Sequence, residues 1–158
     1  FEQHLSIGID QWRPQMTHDH LKIIELVEVC FEDTNEILVV IRLITNSPNL
    51  QKLDIYVRHG ALGPPNRVPG VEAPVMEFWK SGRSSDYTLK RLKTVTMIGL
   101  IGAPHEMEFI QFLLRNSPVL EEMYIHPTDT KAKEVDVLLE LLQFQRASPL
   151  AEIFFIKK

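Results

Sequence analysis

Two stretches at equivalent places in the chain decide what it can fold into: Asn46-Ser47-Pro48-Asn49-Leu50-Gln51-Lys52-Leu53-Asp54-Ile55 and Asn116-Ser117-Pro118-Val119-Leu120-Glu121-Glu122-Met123-Tyr124-Ile125. Each follows an apolar run of helical period. The residue before a proline is pushed out of the α region, so Ser47 and Ser117 must leave the helix. Pro48 and Pro118 then fix φ and lack a donor, so resuming the helix is costly. The Leu-x-x-apolar-x-apolar pattern that comes next has the alternation of a short strand. A helix stop followed at once by a strand is the corner of a repeating α/β unit.

Five matches to that pattern occur: Leu21/Ile24/Leu26, Leu50/Leu53/Ile55, Leu92/Val95/Met97, Leu120/Met123/Ile125 and Leu150/Ile153/Phe155. Their starts lie 29, 42, 28 and 30 residues apart. Three of these intervals fall in or just above the range of leucine-rich repeats, and the longest contains an insertion. Aligning Glu36–Leu50 with Glu106–Leu120 gives identities at Glu, Leu, Asn, Ser, Pro and Leu, a two-unit super-repeat. The expected strands are His4–Asp10, Leu21–Val29, Leu50–Val57, Leu92–Met97, Leu120–Ile125 and Ala151–Ile156. The expected helices are Asn35–Thr45, capped by Asp33 or Thr34, then Glu106–Arg115, and Lys133–Phe144 stopped by Ser148-Pro149. Gly99 and Gly102 are read as a turn.

Three regions follow: a leucine-rich-repeat-like region over 1–57, a Gly/Pro-rich insertion over 58–88 and a second repeat region over 89–158. In the insertion Gly60, Gly63 and Gly70 with Pro64, Pro65, Pro69 and Pro74 forbid a regular element, and Met76, Phe78 and Trp79 can pin it to a surface. A βα unit cannot bury its own apolar face, so stacked neighbours share one core. The fold class is α/β: a leucine-rich-repeat-like solenoid, its mostly parallel sheet curved, with helices on the convex side as crossovers.

Bulk properties narrow the partners. With 158 residues, 44% of them apolar and 24% charged, the chain is an ordinary globular one that can bury a real core. A net charge of −4 recruits neither nucleic acid nor an anionic membrane. No apolar run approaches the roughly 20 residues of a membrane span. The lone Cys30 excludes an internal disulfide and fits a reducing compartment, so a cytoplasmic or nuclear location, or both, is expected. The chain opens on Phe1 inside a strand-like run with no initiator Met, so a piece of something longer is expected.

Reaction chemistry is not legible in these residues. His18-Asp19-His20 lacks the further ligands a closed metal site wants, so no metal and no cofactor are expected. Cys30 follows an apolar strand and reads as a small buried hydrophobe rather than a nucleophile. Arg58, His59 and Arg67 flank a Gly/Pro loop without the Gly-Lys-Ser/Thr of a phosphate cradle. Glu25/Glu28, Glu106/Glu108 and Glu121/Glu122 read as solvated faces, and Arg83-Ser84-Ser85 as an ordinary loop. The positions that alternate away from the core are more informative: Lys52, Asp54 and Tyr56, then Thr94, Thr96 and Ile98, then Glu122, Tyr124 and His126, then Glu152, Phe154 and Ile156. Together they make a candidate binding face, with Lys52, Asp54, Tyr56, Glu122, Tyr124, His126 and Phe154 as its contact residues. The alternative is that Phe154 and Ile156 merely meet a covering segment or a truncated end.

Residues 89–158 resemble the FBD domain of plant F-box/leucine-rich-repeat proteins. The likeness is carried by Leu92-Lys93, Gly99 and Gly102, the run Glu106 to Met123 with its Asn-Ser-Pro corner, and the closing Arg146-Ala147-Ser148-Pro149-Leu150-Ala151-Glu152-Ile153. Residues 1–57 look like the leucine-rich repeats that precede such a domain. The resemblance implies a non-enzymatic role, the substrate-receptor part of an F-box protein in a cullin–RING (SCF) ubiquitin ligase, presenting a surface to a protein to be ubiquitinated. It implies a Skp1-type adaptor as partner only through an F-box, and no F-box of the usual N-terminal kind stands before these repeats. Three other readings stay open. A hormone-like small molecule could bind in the concavity near Tyr56, Tyr124 and His126, with Arg58 and Arg67 the nearby cations; the second repeat region could cap a longer solenoid; a hydrolase using His18, His20 or Cys30 ranks last.

Overall fold

The computed structural model describes residues 4–8, 19–59, 88–128 and 134–156. Six strands, β1 (His4–Gly8), β2 (Ile23–Val29), β3 (Lys52–Val57), β4 (Thr94–Leu100), β5 (Glu122–Pro127) and β6 (Glu152–Phe155), form one sheet. They pair in chain order and every pairing is parallel. Among the described residues three helices connect them: α1 (Thr34–Thr45) between β2 and β3, α2 (Pro104–Asn116) between β4 and β5, and α3 (Glu134–Gln143) between β5 and β6. The insertion residues 60–87, with Arg67, Met76, Phe78, Trp79 and Arg83-Ser84-Ser85, lie outside the described residues, as do Trp12, Pro14 and His18.

The same corner precedes each of β3, β4, β5 and β6. The Leu50 N–H donates to the Ser47 carbonyl at 3.1 Å and the Leu120 N–H to the Ser117 carbonyl at 3.3 Å, closing β-turns with proline second. Leu89-Lys90-Arg91-Leu92 makes the same turn without a proline, at 3.4 Å. The residue that closes each turn, Leu50, Leu92 or Leu120, is buried. A relay of carbonyls then aligns the strand starts: Gln51 N–H on Lys22 at 2.8 Å, Lys93 on Gln51 at 2.8 Å, Glu121 on Lys93 at 2.8 Å and Glu152 on Glu121 at 2.9 Å. Side chains alternate from there. Ile24, Leu53, Val95 and Met123 form one fully buried row, and Leu26, Ile55, Met97 and Ile125 the next. These rows share a single core with Ile37, Val40, Ile41, Leu43 and Ile44 of α1, with Phe109, Ile110, Phe112 and Leu113 of α2, and with Leu141 of α3. The buried Cys30 lies between β2 and α1, as its surroundings in the sequence suggest.

Four expectations need correction. The fifth repeat starts one residue late: Leu150 is 75% exposed, while Ala151, whose N–H closes the turn on Ser148 at 3.4 Å, is buried. Leu150 directly follows the turn's proline, the place held by the exposed Val119 in the corner before β5, so the smaller Ala151 fills the leucine's place. The leucines that open the other repeats lie in the turns, so β2 to β5 begin two residues later than expected. Gly99 is no turn residue: it lies inside β4, at φ +95, where the β4–β5 register shifts between Ile98 and Leu100. Only Gly102, at φ +82, serves the connection to α2, and a Cβ there would run into the Val137 side chain. Finally, α3 ends at Gln143, ahead of Ser148-Pro149, which makes the corner of β6 instead.

Candidate functional site

One face of the sheet carries the helices; the other holds the alternate side chains. Strand register sorts these into rows. Lys52, Thr94, Glu122 and Glu152 lie side by side, as do Glu25, Asp54, Thr96, Tyr124 and Phe154, and then Tyr56, Ile98 and His126. All seven predicted contact residues therefore share one face, none of them buried below the half-exposed class. Adjacent strands stand about 4.8 Å apart, so each row brings its side chains within reach of one another.

The face is aromatic and acidic. Tyr124 and Phe154 stack, with ring centroids 5.0 Å apart and planes 17° from parallel. The Tyr124 hydroxyl donates to Glu122 Oε2 on its own strand. That bond, with the Glu122 and Glu152 carboxylates nearby, pushes the Tyr124 phenol above its usual range, since ionising it would cost the donor and add a third negative charge. Lys52 Nζ lies 3.8 Å from Asp54 Oδ2, a long pair whose lysine is exposed to solvent and which is worth little by itself. On β2, Glu25 is half-buried and accepts from Ser6 Oγ at 2.7 Å, so it belongs to this face rather than to a freely solvated one.

A second polar constellation lies behind the sheet, at the heads of the helices. Glu106 is 1% exposed, against the expectation that Glu106/Glu108 would be a solvated face. Its Oε1 accepts from the backbone N–H of Ile101 at 2.9 Å, Gly102 at 2.9 Å and Ala103 at 3.2 Å. Ala103, the N-cap of α2, has no side-chain oxygen, and Glu106 at the third helical position reaches back to the Ala103 N–H and to the two N–H groups before it, the carboxylate half of a capping box. Glu106 Oε2 lies 3.9 Å from His59 Nε2, which also contacts the Gly99 carbonyl. Burial raises the Glu106 pKa, and the three N–H donors and His59 pull against that rise. Glu36 repeats the arrangement at the head of α1, accepting from Cys30 N–H at 3.3 Å with Arg58 Nη2 3.9 Å away. The signal was present in the sequence: Glu36 and Glu106 are an identity of the super-repeat, the one member of that set with a charge.

Among the described residues no group of three or more His, Cys, Asp or Glu is placed to hold a metal ion. No helix among them is long and apolar enough to cross a membrane. What the open face offers is contact: flat rings, carboxylates and half-exposed Tyr56, Ile98 and Ile156 on a rigid sheet.

Comparison with known proteins places these elements. Residues 88–125, which run from the corner before β4 to the end of the β5 core rows, match the FBD family model. The chain is 39% identical over 158 residues to an F-box/FBD/LRR-repeat protein of Arabidopsis thaliana, an alignment covering 99% of this chain and 36% of the relative. It thus spans about a third of the length of the curated relative it matches. No solved structure matches.

Proposed function

Since the chain is a relative of the plant F-box/FBD/LRR-repeat proteins and carries their FBD segment, we propose that it is a non-enzymatic protein-recognition module, the substrate-receptor part of an F-box protein in a cullin–RING (SCF) ubiquitin ligase. Its architecture in this reading is a leucine-rich-repeat-like solenoid with a curved sheet, helices on the convex side, and the open face as the concave one. The observation that carries the reading is the row arrangement of Lys52, Asp54, Tyr56, Glu122, Tyr124, His126 and Phe154 on the side of the sheet that no other described element covers. Exposed rings on such a surface cost solvation unless they meet a partner, and aromatic residues are enriched where partners bind. The partner is a protein to be ubiquitinated. A Skp1-type adaptor would be engaged by an F-box outside these 158 residues, and the setting is the cytoplasm, the nucleus or both.

The test is affinity capture from plant extract with the wild-type chain and a Tyr56→Ala/Tyr124→Ala/Phe154→Ala triple variant. A specific protein retained by wild type and lost by the folded variant is the expected result. Equal capture by both, or none by either, would leave the FBD region as a cap on a longer array and remove recognition from this face.

A further inference from the structure

Four residues at the β5–β6 end of the open face form a tile. Glu122 and Glu152 are register partners on adjacent strands, and Tyr124 and Phe154 are the next partners along the same face. Like charges directly opposite each other destabilise a sheet, so the Glu122/Glu152 pair calls for a cation between or above them. The described residues of this face do not supply one in place. Against Glu25, Asp54, Glu122 and Glu152 stand Lys52, drawn to Asp54, and His126 one row further along. The Glu152 carboxylate has no ion-pair or hydrogen-bond partner among the described residues, and Glu122 has one carboxylate oxygen engaged by Tyr124. Tyr124 covers one side of the Phe154 ring. The other side looks toward the edge of the sheet, where β6 has no further strand among the described residues.

We propose that this tile receives an arginine side chain from the protein partner, its guanidinium laid on the Phe154–Tyr124 stack and its N–H donors directed at the Glu152 and Glu122 carboxylates. The inference rests on the open face being a recognition surface and adds the chemistry of what is recognised. Three features select arginine. Its charge complements a face whose described residues include four carboxylates and one lysine. Its plane matches the exposed ring, where a cation gains from the ring's quadrupole. Its fork of donors spans two carboxylates on neighbouring strands, which a lysine's point charge does not do.

The probe is the capped heptapeptide Gly-Arg-Gly-Arg-Gly-Arg-Gly, with lysine and citrulline versions, titrated into the isotope-labelled chain while backbone amide shifts are followed by NMR. The arginine peptide is expected to perturb amides within residues 122–126 and 152–156 and to bind about threefold or more tightly than the lysine peptide, with citrulline weakest. Glu152→Gln and Phe154→Ala are each expected to weaken it about threefold or more, with spectra otherwise folded. Glu140→Gln, the same charge change at an exposed site on α3, is expected to leave it unchanged. Equal affinity for arginine and lysine peptides, or equal loss with Glu140→Gln, would reduce the effect to diffuse charge and overturn the proposal. So would shifts confined to other strands. If the peptide fails while the Tyr56/Tyr124/Phe154 triple variant still loses a captured protein, the face stands and the arginine does not. If both fail, the recognition reading falls with it.

Discussion

Glu106 holds the start of α2 with one oxygen shared among three backbone N–H donors, in a place where its charge is costly. Its folded pKa is raised above the ordinary 4.5, with burial as the largest cause. A carboxyl raised in this way stabilises the fold fully below its unfolded pKa and loses that contribution as pH climbs through the folded value. Glu106→Gln keeps an oxygen for the three donors and removes the titration. In urea titrations from pH 4.5 upward, wild-type stability is expected to fall relative to Glu106→Gln; a constant or widening wild-type advantage would show that the N–H donors outweigh burial. At this scale the sequence was only half legible. The alternation that put Tyr124 and Phe154 on one face follows from strand geometry alone, whereas Glu106 is held by a loop that turns its N–H groups back on it from three to five residues away. Leu150 failed for a related reason: Ser148-Pro149 shifts the turn by one residue, which a pattern of leucine spacings does not register.

Among the elements, β2 and β4 share a defect. Glu28 in β2 has φ +58 at the β2–β3 register shift, and Gly99 in β4 has φ +95 at the β4–β5 shift. The same left-handed bulge thus recurs in both halves of the super-repeat, with glycine in only one. A left-handed L-residue costs about 1–2 kcal/mol, and glycine gives back about 0.4–1 kcal/mol through the unfolded chain. Glu28→Gly is therefore expected to leave stability unchanged or to raise it by up to about 1.6 kcal/mol. Gly99→Ala is expected to lower stability by more than about 1 kcal/mol, since its Cβ would also meet the Val57 carbonyl oxygen at 3.0 Å. Chemical denaturation of the two variants checks the pair, and a loss for Glu28→Gly as large as for Gly99→Ala would contradict the bulge. Helix and strand identities were readable from period and from the Ser-Pro corners. Their ends were not, because the opening leucines pack inward from a turn rather than from the ladder.

The described residues share one core, running from Leu21 to Ala151 across the two regions that flank residues 60–87. Phe31 beside α1 and Phe109 in α2 meet with ring centroids 5.4 Å apart, so the two halves pack on each other as well as sharing a sheet. Calorimetry is expected to show a single transition, and Leu120→Ala, a fully buried truncation, to lower stability by about 2–5 kcal/mol without splitting it. Two resolved transitions would mean the halves fold separately. The order of the repeats along the sheet could be read from the sequence because each corner is local; what the insertion does could not, because glycine and proline state only what a segment avoids. The strand order has a further consequence. In a sheet whose spatial order equals its chain order, every joint is equivalent: a unit copied or excised at a corner changes the length of the array and leaves no strand to be rethreaded. Descendants of such a gene can gain or shed whole units by duplication and deletion, keeping register while changing how much surface they show.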